Sequence, residues 1–227
     1  MLRLPLLAVA LMSAPGVFAQ QTTVDEGSFT LYVNNQRVGR EQFSIKQTQV
    51  GGATQLVASA NIVRNDKRFE PMLKTDGDGR PLAYELASVA GARRTTVVQA
   101  MARGARFSGR VAVDGGRTTE RDLPLDASSV VLDDDVVHHF YFVARAASSG
   151  GTVPVVVPRR LTRESVVVTR RGEANVEIGN GTLPSRHLIV AVAGGAATDL
   201  WVDAAGRVLR LHVASRGFTA VRDEAPR

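Results

Sequence analysis

The sequence predicts a mainly β fold: an antiparallel spiral β-barrel or roll with one short helix packed at or inside it. Three observations carry that expectation. Apolar residues recur at every second position through most of the chain, as a strand with one buried face requires. Turn-forming Gly, Asn, Asp and Pro break those runs at short intervals. One segment, from about Asp133 to Ala146, abandons the alternation.

The strands follow in order. Phe29, Leu31 and Val33 alternate with Thr30 and Tyr32; Asn34-Asn35-Gln36 turns the chain, and Phe43 and Ile45 resume the pattern. Leu56, Ala58, Ala60 and Ile62 repeat it. Asp76-Gly77-Asp78-Gly79 separates Phe69–Thr75 from Leu82–Val89 and reads as a hairpin turn. Thr95–Ala102, Ala105–Val113 and Arg117–Asp122 are further strands, with Gly115-Gly116 between the last two. After the helix, Leu161–Thr169, Glu173–Ile178, Ser185–Ala193, Thr198–Asp203, Arg207–Ala214 and a run through Val221 are each bounded by Gly, Asn or Pro. An open sheet this long leaves reactive edges, so it is expected to curl or close.

The helix is expected over about 133–146. Asp133-Asp134-Asp135 suits a positive helix N-terminus and Arg145 the opposite end, while Val136, Phe140 and Val143 share a face. Ser148-Ser149-Gly150-Gly151 ends it.

Arg3, the apolar run Leu4–Met12 and Val17-Phe18-Ala19 have the order of a cleaved secretory signal, predicting a signal peptide over 1–19. The run is shorter than the ~20 apolar residues a membrane-spanning helix needs. A single domain over 20–227 is expected, working outside the cytosol in the periplasm. The 227-residue chain has no cysteine, which excludes disulfides, thiolate metal sites and a lipid-attachment cysteine. With no second long apolar segment, no transmembrane anchor is expected.

The net charge is +6, carried almost wholly by arginine. This suits contact with an anionic surface such as lipid headgroups or lipopolysaccharide; the plainer explanation is a solvated strand face. Nucleic acid is not an expected partner, because aromatic residues are few and export removes the protein from it.

Several phrases occur together: Gly27-Ser28-Phe29-Thr30-Leu31-Tyr32 before Gln36-Arg37-Val38-Gly39-Arg40-Glu41, and Thr75-Asp76-Gly77-Asp78-Gly79-Arg80-Pro81-Leu82-Ala83-Tyr84-Glu85. Two more are the Leu132–Arg145 segment and the stretch from Leu200-Trp201-Val202-Asp203 to Leu211. In these the chain resembles exported bacterial proteins of uncharacterised families with a spiral β-roll or β-barrel, such as the envelope-integrity proteins. More distantly it is similar to the periplasmic lipoprotein carriers, which hold acyl chains in a half-barrel. The resemblance implies a periplasmic, non-enzymatic envelope role and supplies no active-site residues. Some envelope-integrity proteins carry a disulfide, which this chain cannot make.

Candidate chemistry is sparse. Asp134 with His138 and Asp135 with His139 are i, i+4 pairs that can share a metal, the alternative being a capped helix whose histidines meet acids or solvent. Asp76, Asp78 and Gly79 match part of a calcium loop, but its twelfth position is Ala87 rather than glutamate. There is no G-x-S-x-G elbow; Ser165, His187 and Asp203, or the carboxylates Asp126, Glu164 and Glu173, are not singled out by spacing. No catalytic residue, metal or cofactor is therefore assigned.

The sheet faces carry many small residues: Ala58, Ala60, Ala87, Ala102, Ala112, Ala191 and Ala193. Small side chains in a rolled sheet leave room either for an apolar ligand or for the helix, with Phe140 and Phe142, to fill. The expected function is binding of a lipid-like or peptide ligand, with Phe140, Tyr141, Phe142 and Trp201 as contacts and Arg159 and Arg160 meeting an anionic headgroup. A scaffold that binds an envelope protein through a sheet edge is the alternative, and a hydrolase with an unmarked site comes third.

Overall fold

The computed structural model describes residues 21–112, 116–192 and 195–227. The signal-peptide expectation, and the expectations for Val113, Gly115 and Ala193, lie outside them. Eight strands follow one another at the start: β1 (Thr22–Val33), β2 (Gln36–Val50), β3 (Ala53–Arg64), β4 (Lys67–Asp76), β5 (Pro81–Ala90), β6 (Arg93–Arg103), β7 (Arg106–Ala112) and β8 (Thr118–Pro124). After the short β9 (Val130–Val131) comes a 3-10 turn at Val137–His139 that runs into the helix α1 (Phe140–Ala146). Then follow β10 (Gly151–Val157), β11 (Thr162–Ile178), β12 (Gly181–Val192), β13 (Ala197–Val202), β14 (Val208–Val213) and β15 (Phe218–Arg222).

Among the described residues the fifteen strands form one sheet, in the order β8 through β1, then β15 back through β9. The chain thus meanders out from β1 to β8 at one edge, crosses through residues 125–129 to β9 at the other edge, and after the helix meanders home from β10. Its last strand lies against its first, with Phe29 opposite Arg222 and Val33 opposite Phe218. Every neighbouring pair is antiparallel except β9 with β10. This matches the mainly β, spiral expectation, as does the single short α-helix among the described residues.

The sheet curls until its two halves meet through side chains rather than through a ladder. Leu161 packs so close to Gly109 of β7 that a Cβ there would lie 2.7 Å from its Cδ2. Arg121 of β8 donates to the Leu161 carbonyl at 3.4 Å, and Arg159 lies over the Phe69 ring of β4 at 5.7 Å. The interior is filled. Phe29, Leu31, Ile45, Leu73, Tyr84, Leu86 and Phe107 from one half meet Val166, Leu188, Leu200 and Leu211 from the other. Each such burial is worth about 1.5–3 kcal/mol.

The helix runs through that interior. Val136, Val137, His138, His139, Tyr141, Phe142, Val143 and Ala144 are all buried, whereas Phe140 is half-buried and Arg145 and Ala146 at its far end are exposed. Of the small residues singled out above, Ala58 packs in the same core, with Ala60 and Ala102 partly buried against it. Arg145 ties its far end to the Gly77 carbonyl in the β4–β5 turn.

Two sequence expectations need correction. The helical segment begins at Val137, not at Asp133, because the aspartates do not cap it. Asp135 has a left-handed backbone (φ 61°), and the Asp133 carboxylate is committed to Tyr84 and Arg159. Glu41, from β2, takes the capping role by accepting the Val137 and His138 N–H groups. The stretches expected as two strands around Gly172 are one strand, β11. A bulge between Arg170 and Gly172 absorbs the irregularity there, with Gly172 at φ 145°. No helix among the described residues is long and apolar enough to cross a membrane, which says nothing about strands.

Candidate ligand-binding site

Where the curl ends, the segment Leu132–Val137 bridges the sheet and roofs a cavity of about 560 Å3. Its walls come from alternation. Val155 and Val157 of β10 turn the same way, as do Leu211 and Val213 of β14, while Phe218 sits opposite Val213 in the β14–β15 ladder. Val136, Val137 and Phe140 close it from the bridging segment. The wall is aliphatic and aromatic.

Its rim is charged and paired. Asp134 lies 2.9 Å from Arg160, which also meets Glu164 at 2.6 Å. Asp135 is held from two sides, by Arg64 and Arg216, each at 2.8 Å.

Behind the wall lies a buried polar cluster that fixes the bridging segment. Glu41 Oε1 is 2.7 Å from His138 Nδ1, both side chains being fully buried. The Tyr84 hydroxyl donates to Asp133 at 2.6 Å, and the Arg159 N–H donates to the same carboxylate at 3.0 Å. The Asp133 N–H donates to His139 Nδ1 at 3.2 Å, so the His139 ring is neutral there with its proton on Nε2. Burial pushes the Asp133 carboxyl above its ordinary range, against the opposing pull of Arg159 and Tyr84. Burial, reinforced by the Asp133 charge, pushes the Tyr84 phenol well up. Burial holds His139 well below the usual imidazole range, with His138 and Arg159 adding to it. These groups bond one another and the backbone, while Nε2 of His138, Nε2 of His139 and Nε of Arg159 are buried without a partner among the described residues.

The sequence-predicted residues scatter. Phe140 and Arg160 line the cavity. Tyr141 and Phe142 are buried on the helix, their rings packed edge-on at 5.3 Å. Arg159 is drawn to Asp133 and Phe69. Trp201 lies away from the cavity, stacked flat on His187 at 4.6 Å with Arg210 over it at 5.2 Å, beside a small apolar cluster of Val176, Ile178 and Leu209. The metal pairs are separated: Asp134 and Asp135 go to arginines, His138 to Glu41 and His139 to the Asp133 N–H. Among the described residues no three metal-ligating side chains converge. His187 is bonded to Asp199 at 2.7 Å, and Asp203 to the turn at Ala205 and Arg207, so no triad forms from them. Asp76 likewise serves its own turn, accepting the Asp78 and Arg80 N–H groups.

Sequence reasoning missed Arg64, Arg216, Phe218, Val155 and Val213. Only their alternation was visible; nothing local shows that β3, β10, β14 and β15 share one mouth.

A larger hollow, about 730 Å3, lies over β6–β8. It is lined by Arg103, Arg106, Arg110, Glu120, Arg121 and Asp122, and its charged walls suit a macromolecular surface better than an apolar guest.

No protein family profile matches the chain, and no curated protein is detectably similar in sequence. Among solved structures it is similar to a β-barrel-like protein of the domain of unknown function DUF1849 from Brucella abortus. That likeness has 8% identity and a TM-score of 0.49 over 88% of this chain and 95% of the other. It is also similar to a DUF1089 family protein from Pseudomonas aeruginosa, with 12% identity and a TM-score of 0.39 over the same shares. Such likenesses concern the course of the chain and say nothing of a ligand.

Proposed function

We propose that this chain is a non-enzymatic binding protein of the bacterial cell envelope. It is exported to the periplasm and holds the apolar part of a lipid-like ligand beneath the Leu132–Val137 segment. The cavity carries this reading: its volume is about 560 Å3, and Val155, Val157, Leu211, Val213, Phe140 and Phe218 line it beside the polar Asp133 and Thr198, under a charged rim. That volume falls within the roughly 300–1,000 Å3 of small-ligand sites. Covering such a wall is favourable by about 25 cal/mol per Å2 of apolar surface removed from water. The signal-like start of the chain supports export, and its arginine-rich surface supports peripheral contact with an anionic membrane.

Native mass spectrometry of the exported protein should show co-purifying lipid. A clean apo mass, with no thermal shift across a panel of acyl chains, overturns the reading. The exported protein should begin at Gln20; an intact precursor found in the cytoplasm overturns the location.

A second reading, an assembly scaffold that binds an envelope protein by strand addition, is favoured by β8. It is the outermost strand of its half, and the arginine-lined hollow adjoins it. Crosslinked pull-downs should capture a partner that Thr119→Pro releases. Unchanged capture by that variant removes this reading.

A further inference from the structure

We propose that Arg64 and Arg216 form an anion clamp at the cavity mouth, with Asp135 as its built-in occupant, and that the ligand is an amphiphile whose carboxylate or phosphate head replaces that carboxylate. This rests on the reading of the cavity as a ligand site and names the class of ligand it takes.

The two arginines come from distant parts of the chain. Arg64 ends β3, and Arg216 lies in the 3-10 turn between β14 and β15. They converge on one carboxylate, Arg64 on Oδ2 and Arg216 on Oδ1, each at 2.8 Å. Both guanidinium groups also lie over one ring, that of Phe218, at 5.4 and 5.5 Å. Phe218 is itself part of the cavity wall. An aromatic ring that faces a hydrocarbon pocket thus holds two cations at the boundary with water. That is where the head of an amphiphile comes to rest when its tail is inside.

Charge is unevenly shared around the rim. Arg160 has two carboxylates, Asp134 and Glu164, whereas Arg64 and Arg216 share one among the described ion pairs. The clamp side therefore keeps an excess positive charge that favours an anion.

Asp135 is a replaceable occupant. Its backbone is left-handed (φ 61°), a conformation that aspartate adopts more readily than most residues with a Cβ. Its ion pairs are partly exposed, with side-chain exposures of 30% for Asp135, 30% for Arg64 and 51% for Arg216. Pairs of that kind are weak and exchange readily. A ligand head offers the same two guanidinium contacts, and its tail adds burial that the Asp135 carboxylate does not.

The test is displacement of the neutral dye N-phenyl-1-naphthylamine from the purified mature chain by dodecanoate, dodecyl phosphate or dodecanol, each below its micelle concentration. At least one anionic amphiphile should compete about tenfold or more better than dodecanol, and the better of the two identifies the head. The preference should shrink with added salt, as for any partly exposed charge contact. Asp135→Asn should tighten the anions several-fold and leave dodecanol unchanged. The double variant Arg64→Gln/Arg216→Gln should bring all three ligands to the dodecanol level. Equal competition by all three in the parent chain overturns the clamp while the cavity reading stands. A dye that does not bind, or that no amphiphile displaces, overturns both. If the double variant does not fold, the parent's head-group preference and Asp135→Asn still decide the matter.

Discussion

Glu41 reaches across 97 residues of sequence to hold His138: its Oε1 lies 2.7 Å from the ring Nδ1, and its two oxygens accept the Val137 and His138 N–H groups. A single carboxylate on β2 thereby starts the helix, orients a buried imidazole and fixes the back of the cavity roof. Removing it leaves several buried donors without a partner. Glu41→Ala is expected to cost about 3–5 kcal/mol, the scale of breaking a buried charged pair. Glu41→Gln, which keeps the size and part of the bonding, should cost about 1–3 kcal/mol. Urea unfolding followed by circular dichroism measures both, and an unchanged midpoint for Glu41→Ala would refute the capping role.

His139 makes the fold sensitive to mild acid. Its folded pKa lies well below 6.5 because the ring is buried beside His138 and Arg159. Below pH 6.5 the unfolded chain takes up a proton that the folded chain refuses, so the unfolded state gains. The stability from this residue is complete above pH 6.5 and is lost as pH falls toward the folded value. The slope should approach about 1.4 kcal/mol per pH unit from one proton. In His139→Phe that component vanishes, although the lost Nδ1 acceptor lowers stability at every pH. Urea midpoints of parent and variant between pH 5 and 7.5 give the difference; parallel curves would contradict the assignment.

Gly39 sits where β2 and β3 approach too closely for a side chain. A Cβ there would overlap the Val63 carbonyl oxygen and lie 2.9 Å from Arg64 Cα. Gly39→Ala must push the strands apart, at a cost toward the upper end of the about 1–3 kcal/mol typical of overpacking. Because Arg64 moves with that strand, the variant should also weaken discrimination between anionic and neutral amphiphiles. A crystal structure and thermal melt of the variant check both effects.

Ala196 lines the cavity from the loop before β13. Ala196→Trp should fill part of the mouth and reduce co-purifying lipid several-fold, while the melting temperature changes by no more than a few degrees. Native mass spectrometry and a thermal melt distinguish this from unfolding; undiminished lipid would place the ligand elsewhere.

The sheet was legible because Phe29, Leu31, Phe43, Ile45, Leu56 and Leu73 advertise period 2, and because Asp76–Gly79 and Asp203–Gly206 turn through local side-chain bonds. The helix was legible as an interruption, but its start was not. Three aspartates look like a cap, yet the capping group, Glu41, lies on a distant strand, and no local pattern records that contact. The site was the least legible part. Phe140, picked as an aromatic residue of the helical segment, and Arg160, picked beside Pro158, line the cavity, while Arg64, Arg216 and Phe218 become neighbours only when the curl brings the β3–β4 turn beside the β14–β15 turn. Trp201, singled out for its aromatic ring, lies away from this cavity with His187 and Arg210 on its faces.

The pairing of β1 with β15 has a consequence for how this polypeptide matures. The middle of the sheet, rather than a margin, is assembled from residues about two hundred positions apart, and the buried Arg222–Asp25 pair locks that seam at 2.7 Å. Neither meander can complete its hydrogen bonding until Phe218–Arg222 arrives, so slow, late consolidation is expected of such remote contacts. In an exported chain, as proposed above, such late closure would keep the polypeptide threadable until that strand arrives. Loss of Phe218–Arg222 would take out the central plank.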